Sequence, residues 1–471
     1  MDFTLIETGW ISVLPPLIAI TLALITKEVY SSLFLGLFSG MAIYVAYAHE
    51  PFVAIFSHTF DMMAGKIADN AYIIIFLALL WAVVTLVSRS GGSQAYGRWA
   101  EKRLKRRRSA LLSTSFLGML VFIDDGFNCL TVGTVMRPVT DRLRISREKL
   151  AYIIDATAAP VCIIAPVSSW AVAVASEVSE KNGFNIFLST IPYNFYALVT
   201  IAMVFILAFT GKDFGPMKHA EERALSGRNT TCSEDEKADV KGHVIDLVLP
   251  IVVLIVCAIL GMAYVGGWFS GTRFSEAIGA NPAAGLTLGA FAALVTALLL
   301  YLPRRIMTPG SFVESVVKGI GSIVPPMLIL ILSWSLGGVC RQMIGTGVFI
   351  SGFVSSSSMP LALLPFIIFV IAAIMSFSMG TSWGTFGMLI PIVTMICSAD
   401  GAGSYLVPTL GATLAGSVYG DHCSPMSDTT ILSSTGADCP HINHVETQLP
   451  YATLAAGICA AGYLVLGLFL G

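Results

Sequence analysis

Five aspartates, Asp124, Asp125, Asp155, Asp421 and Asp428, lie in or beside long apolar runs where Gly, Pro, Ser and Thr interrupt the helical pattern. A carboxylate at membrane depth is costly and persists where it faces a cavity, a cation or a proton path. The densest cluster is Gly420-Asp421-His422-Cys423-Ser424-Pro425-Met426-Ser427-Asp428-Thr429-Thr430. There Asp421, Ser424, Ser427, Asp428, Thr429 and Thr430 crowd six oxygen-bearing side chains into ten positions. In an intact helix Asp421 and Asp428 would share a face; around a break at Pro425 they could flank one pocket. Two neighbouring carboxylates cannot both be ionised cheaply, so the pair suits a site that takes either a proton or a cation. That is the chemistry of exchange. His422, with an ordinary imidazole pKa of about 6.5, joins Asp421 and Asp428 as a candidate for proton coupling.

Three further constellations repeat the theme. Asp155 and Thr157 precede Pro160 and Pro166, with Ser168 and Ser169 just beyond. Each proline removes a backbone donor and frees carbonyls upstream. Together with Asp155, Thr157, Ser168 and Ser169 they form an oxygen set that a hard cation such as Na+ accepts. A plain proline kink, with Asp155 at the membrane interface a few residues past Lys149, is the alternative. The stretch Phe122-Ile123-Asp124-Asp125-Gly126-Phe127-Asn128 offers oxygens from Asp124, Asp125 and Asn128, and Gly126 permits a sharp reversal. The stretch Ser376 to Thr385 carries no charge, but Ser378, Thr381, Ser382 and Thr385 place hydroxyls among glycines. Small residues there also suit close helix packing; their density favours an unwound segment facing a cation.

The elements that must position these residues follow from composition. The 471 residues are 55% hydrophobic and 12% charged, with a mean hydropathy of +0.80. Soluble domains carry about a quarter charged residues, so the expected class is an all-α polytopic membrane protein. A net charge of −2 argues against a nucleic-acid partner. The N-terminus lacks the basic region of a signal peptide, so the first apolar run is expected to remain as a span. Nine scattered cysteines without a CxxC pair read as buried thiols, not a disulfide framework. About ten spans are predicted near 10–26, 30–48, 71–89, 150–176, 187–210, 244–266, 283–302, 322–340, 404–420 and 449–470, each near the length that crosses a bilayer.

Two apolar runs remain, 109–136 and 361–397. The basic run from Arg98 to Arg108 and the loop from Arg137 to Lys149 flank the first of them. Short loops rich in Lys and Arg stay cytoplasmic, so both ends of 109–136 fall on one side and the segment enters and returns as a re-entrant hairpin. Its alternative is one ordinary span. The mixed-sign stretch 211–243 reads as a solvated cytoplasmic linker. Leu77 to Trp81 resembles Leu330 to Trp334, and Val135 to Val139 resembles Met388 to Ile392, at the same displacement of 253 positions. Weak internal symmetry of this kind marks inverted repeats in secondary transporters. The organisation expected is a first inverted-topology repeat, 1–210 (hairpin 109–136, broken helix 150–176), the linker 211–243, and a second repeat, 244–471 (hairpin 361–397, broken helix 404–435).

The stretch Gly420 to Thr430 resembles the GD-x-x-SP-x-SDTT signature of the NhaC-type sodium/proton antiporter family. Asp124, Asp125 and Asn128 in 122–128, the Ala165 to Trp170 stretch and Gly380 to Thr385 extend the resemblance over most of the chain. It implies Na+/H+ exchange on an inverted-repeat fold, with relatives that couple an organic acid or amino acid to ions. The His422-Cys423 insert and the polar tail Ser433 to Gln448 depart from simple Na+/H+ exchange. Cys439, His441 and His444 in that tail match no standard zinc spacing; a polar loop capping the broken helix is expected instead.

The resulting expectation is a secondary active transporter, not an enzyme. It would sit in the inner or plasma membrane and exchange cytoplasmic Na+ for H+ by alternating access, with the lipid bilayer, Na+ and H+ as partners. No cofactor and no metal beyond Na+ is expected, and a homodimer is left open. The alternative, a Na+- or H+-coupled carrier of a small organic acid or amino acid, would want an Arg at the site; Arg137 and Arg341 lie near the hairpins, both at the expected membrane edge. An intramembrane aspartyl protease would need two carboxylates from facing helices sharing one proton; the repeat and the lack of a GxGD motif weigh against it.

Overall fold

A helix satisfies its backbone donors and acceptors within one segment, which is what an apolar surrounding demands. The computed structural model describes residues 3–26, 28–178, 183–226, 242–356, 360–399 and 401–470, and every regular element among them is helical. The side chains of Arg98 to Lys102 in the basic run, and residues 227–241 of the long polar stretch, lie outside this description.

The chain opens with α1 (Leu14–Thr26), α2 (Val29–Tyr47), α3 (Ala54–Asp69), α4 (Ala71–Arg89), α5 (Gly92–Arg103), α6 (Arg107–Leu120) and α7 (Asp125–Arg142). Next come α8 (Arg147–Ala156), α9 (Ala159–Cys162), α10 (Ser169–Glu177), α11 (Gly183–Thr190), α12 (Phe195–Thr210) and α13 (Gly215–Leu225). The remainder comprises α14 (Val244–Val265), α15 (Phe274–Ala280), α16 (Pro282–Tyr301), α17 (Pro309–Ser322) and α18 (Val324–Gly338), which continues as a π-turn over Val339–Met343. The chain closes with α19 (Thr346–Ser356), α20 (Leu364–Met379), α21 (Ser382–Cys397), α22 (Leu406–Cys423), α23 (Asp428–Ala437) and α24 (His441–Leu470). Eight helical stretches among the described residues are long and apolar enough to cross a membrane.

Each predicted interruption is a real break with a local cause. Asp124 caps α7, its carboxylate accepting from the Phe127 amide at 3.0 Å. Ser427 and Thr381 cap α23 and α21 in the same way. Gly380 turns the chain between α20 and α21 at φ +68°, where a Cβ would also fall 2.8 Å from the Met426 backbone. The 150–176 stretch breaks twice, before Pro160 and around Pro166, with α9 as a short turn between Ala158 and Ile163. The predicted span 187–210 starts later, at Phe195, after a turn at Pro192. The polar tail is a correction: 433–448 is helical apart from a turn near Cys439, and α24 begins at His441, not near 449. A helix carrying His444, Gln448 and Tyr451 at one-turn intervals buries all three, which a capping loop would not.

Packing is crossed between the two ends of the chain. Helix α17 lies on α4 and α3 on α18; α16 lies on α4 and α2 on α18. In the same manner α7 packs on α23, α21 on α10, α24 on α8 and α12 on α22. Arg147 fastens the α7–α23 side, its guanidinium 2.7 Å from Asp438 and 3.2 Å from Asp141. Lys149 is buried against Asp213 at 2.6 Å.

Candidate functional site

Five helix starts converge on one cavity of about 480 Å3: those of α2, α7, α18, α21 and α23. The polar side chains at those starts determine its character. Glu28 accepts from the Tyr30 amide at 3.1 Å and the Ser31 amide at 2.7 Å. Asp124 caps α7 and Asp125 occupies its first turn; Asp428 occupies the first turn of α23. The positive ends of these helices are thereby met by the chain's own carboxylates, which they stabilise. Asp421, from the last turn of α22, completes the set, and Trp81, Thr381, Trp383 and Thr429 add to the walls. Asp124 and Asp421 are 1% and 2% exposed, whereas Asp428 is open to solvent. The cavity therefore has a wet mouth at Asp428 and a buried floor at Asp124 and Asp421. On that floor Ser169 Oγ lies 3.3 Å from Asp124 Oδ2 and Ser382 Oγ donates to Asp421 Oδ2 at 2.8 Å. Asp421 Oδ1 has no partner among the described residues. Carboxylates gathered this way repel one another unless a proton or a cation stands between them.

The sequence profile of the Na+/H+ antiporter family matches residues 171–468, well over half of the chain. The chain belongs to the Na+/H+ antiporter family. An uncharacterized protein of Haemophilus influenzae is 39% identical over 490 residues, covering 99% of this chain and 92% of its own. The malate-2H+/Na+-lactate antiporter of Bacillus subtilis is 34% identical over 164 residues, which is 34% of this chain and 33% of that one. Among solved structures, the YdaH transporter of Alcanivorax borkumensis shares the fold, with a TM-score of 0.61 at 12% identity over 88% of this chain and 90% of that one. This antiporter is thus a multi-pass membrane transport protein whose helices place both cavity carboxylates and a second buried polar group.

That second group forms around Asp155, which is fully buried and does not line the cavity. Gln448 Nε2 donates to Asp155 Oδ2 at 2.7 Å, and His444 Nε2 lies 3.3 Å from the same oxygen. Thr430 Oγ1 is 3.4 Å from it and 3.5 Å from the Asp421 carbonyl. His422 also stands here and not in the cavity: its Nε2 is 2.9 Å from the Asp155 carbonyl and its Nδ1 is 3.0 Å from the Tyr196 hydroxyl. The same Nε2 also lies 3.7 Å from Asp155 Oδ1, so the imidazole faces a buried carboxylate besides these two partners. Asn128 spends its amide on the carbonyls of Gly118, Val121 and Thr157, and the Thr157 hydroxyl bonds back to Ile153. Ser168 caps α10, Ser427 caps α23, Ser424 receives the Met426 amide, and Thr385 bonds back to the Thr381 carbonyl. Ser378 lies outside the cavity lining, as do Arg137 and Arg341. Cys439, His441 and His444 do not converge, since His441 Nε2 turns to the Pro425 carbonyl at 2.8 Å.

Glu28 and Gln448 were not named as site residues from the sequence, Trp81 entered only through the repeat, and His444 only as a candidate metal ligand. The four-residue spacing of His444 and Gln448 was the available signal, hidden by reading 433–448 as a loop. Gln448 also donates to the His422 carbonyl at 2.7 Å. Gln448→Leu removes a donor from the His422 carbonyl and the shortest of three contacts on Asp155 Oδ2, which keeps His444 and Thr430, at about 1–3 kcal/mol for a buried group left unpaired. The expected outcome is a clear drop in the thermal unfolding midpoint of the purified protein in detergent; an unchanged midpoint would show that water replaces the amide.

Proposed function

We propose that this antiporter exchanges Na+ for H+, carrying cytoplasmic Na+ out of the cell as protons enter. One observation carries the reading: Asp124, Asp125, Asp421, Asp428 and Glu28 converge on a single cavity whose described lining includes no Lys or Arg. Hard monovalent cations favour such all-oxygen surroundings. Asp428 and Glu28 draw the cation to the mouth, while Asp421 and Asp124 receive it at the floor, with Thr381, Ser382 and Thr429 close by. Arrival of Na+ expels the proton that kept the floor neutral, and protonation from the other side expels Na+. An organic carboxylate would meet five groups of its own sign here, and four of the five helix starts that would otherwise attract it, those of α2, α7, α21 and α23, are already capped. The inorganic cation is therefore favoured over the organic acids named for the Bacillus relative.

Alternating access follows from the organisation we assign: inverted repeats 1–210 and 244–471 joined by a cytoplasmic linker, 211–243. The crossed packing supports it, since α17 on α4, α16 on α4, α7 on α23 and α24 on α8 each have a counterpart with the halves exchanged. The arms α6 and α21, of 14 and 16 residues, are shorter than the roughly 20 residues a bilayer crossing needs, whereas α20 with the turn before it, Leu361–Met379, is one of the eight stretches long enough. The short arms support re-entrant hairpins at α6–α7 and α20–α21, with helix starts facing the site at mid-depth.

The test is transport in sealed vesicles holding purified protein and a pH-sensitive dye. Pulses of Na+ are expected to move protons outward from the opposite compartment, and pulses of lactate or malate without Na+ are expected to move none. Proton movement driven by an organic acid and indifferent to Na+ would replace this reading with the carrier alternative.

A further inference from the structure

Helices α10, α18 and α21 share a seam that leads away from the carboxylate cavity. Their first residues stand at its wall: Ser169 contacts Asp124, while Pro325, Pro326 and Trp383 line the space. The next layer is aromatic and dry. Trp170, Trp383 and Phe386 pack with ring centroids 5.8 to 5.9 Å apart, and neither Trp170 nor Phe386 has exposed surface. Beyond them lies Glu177, the last of the nine residues of α10 and only 1% exposed. It stands beside Ser333 and Gly387, where a Cβ on Gly387 would come 3.7 Å from Glu177 Oε1. Neither of its carboxyl oxygens has a hydrogen-bond partner among the described residues. Arg341 reaches the same seam about one helical turn further along, at Gly337 and Pro391, each four residues past the Ser333 and Gly387 that Glu177 stands beside. Its guanidinium faces Gly337 and donates to Thr394 Oγ1 at 3.5 Å.

Packing does not require a carboxyl at this place. Where α7 crosses α23, the ninth residue of α23 is Gly436, and it meets Gly133 backbone to backbone. Where α21 crosses α10, the ninth residue of α10 is Glu177, and it meets Gly387. A bare carboxylate buried without a donor is far costlier than the neutral acid. We propose that Glu177 is a second proton-carrying site of this antiporter, on the side away from the carboxylate cavity, an inference that rests on the exchange and inverted-repeat reading above.

In the arrangement described Glu177 is the neutral acid. When the seam parts and water enters, its O–H bond breaks and the proton passes to water. The carboxylate left behind pairs with Arg341 after a shift of about one turn between packed elements, a step of known kind in switching proteins. A cavity of about 250 Å3 already lies against the last turn of α10, and both chain neighbours of Glu177, Ser176 and Val178, line it. Arg341 is the charged group facing Glu177 among the described residues, with Lys66 of α3 behind it at Gly338. Of the other helices packed on α10, α11 has no titratable side chain, α9 and α21 have only Cys162 and Cys397, and α4 has Tyr72 and Arg89 at its ends, Arg89 being engaged with Glu314 at 3.4 Å. Glu180 and Lys181 lie outside the described residues.

The deciding variant is Glu177→Gln, which keeps the shape of the neutral acid but cannot release a proton. In vesicles, the proton gradient that just balances an imposed Na+ gradient reports protons exchanged per Na+. The variant is expected to exchange one proton fewer per Na+ than the native protein; an identical ratio overturns the proposal. Should the variant move nothing, dicyclohexylcarbodiimide labelling of the native protein decides, because this reagent modifies buried protonated carboxyls. A Glu177 adduct at acid pH that falls about fivefold or more at alkaline pH supports the site, and absence of an adduct overturns it. Native protein that moves neither ion refutes the exchange reading instead, and the labelling still judges Glu177.

Discussion

Asp421→Asn is expected to reduce Na+-driven proton movement about a hundredfold or more, the equivalent of roughly 2.8 kcal/mol at the site. The reason is its place on the floor. Asp421 is 2% exposed, one oxygen is held by Ser382, and the other has no partner among the described residues. That free oxygen is the one available to alternate between a proton and a cation. Asparagine retains the size and the Ser382 contact but can neither lose a proton nor neutralise Na+. Asp428→Asn, at the exposed mouth, is expected to act more mildly, raising the Na+ concentration for half-maximal rate about tenfold while sparing more of the maximal rate. Dye-reported proton flux and radioactive Na+ uptake in the same vesicles separate the two effects. Full exchange by Asp421→Asn would remove this carboxyl from the mechanism; a mouth variant more damaging than the floor variant would reverse the assigned order.

Gly436→Val is expected to prevent assembly of a functional protein. A Cβ on Gly436 would lie 2.5 Å from the Cys129 carbonyl, and one on Gly133 would lie 2.5 Å from the Gly436 carbonyl carbon. These are backbone atoms, so no side chain can swing aside, and α7 and α23 must separate. Overpacking of a close-packed core costs about 1–3 kcal/mol when side chains can adjust, and more is expected here. The consequence reaches the cavity, because the same two helices begin at Asp125 and Asp428. The thermal midpoint in detergent and the yield of monodisperse protein measure it. Gly310→Ala, at a position where an added methyl group would meet nothing within 4 Å, should leave both unchanged. Native-like stability in Gly436→Val would mean that this crossing is not held as closely as the backbone distances indicate.

The one-turn offset between Glu177 and Arg341 illustrates what sequence could not supply. Glu177 ends an apolar stretch and looks like a helix terminus at the interface; only the packing of α10 against α18 and α21 buries it. The same holds for Asp155. Its sequence position allowed either an interfacial residue or a cation ligand, and the fold surrounds it with Gln448, His444 and Thr430, partners nearly three hundred positions away. Glu28 was passed over because a glutamate between two apolar runs is ordinary; its value comes from α2 starting at the cavity wall.

Chemical type and local breakage were legible in the chain alone. Apolar composition demanded helices, and Gly380, Pro425 and the capping residues Asp124, Thr381, Ser168 and Ser427 specified where helices stop and start, because φ preference, missing amide donors and side-chain caps act over a few residues. Which oxygens share a space was a matter for the packed helices. Gly133 against Gly436 and the crossed pairing of the two halves bring Asp124 and Asp125 to Asp421 and Asp428 while leaving Asp155 and His422 in a separate core. Proximity across hundreds of residues depends on how helix surfaces fit, and that fit has no signature within any one segment.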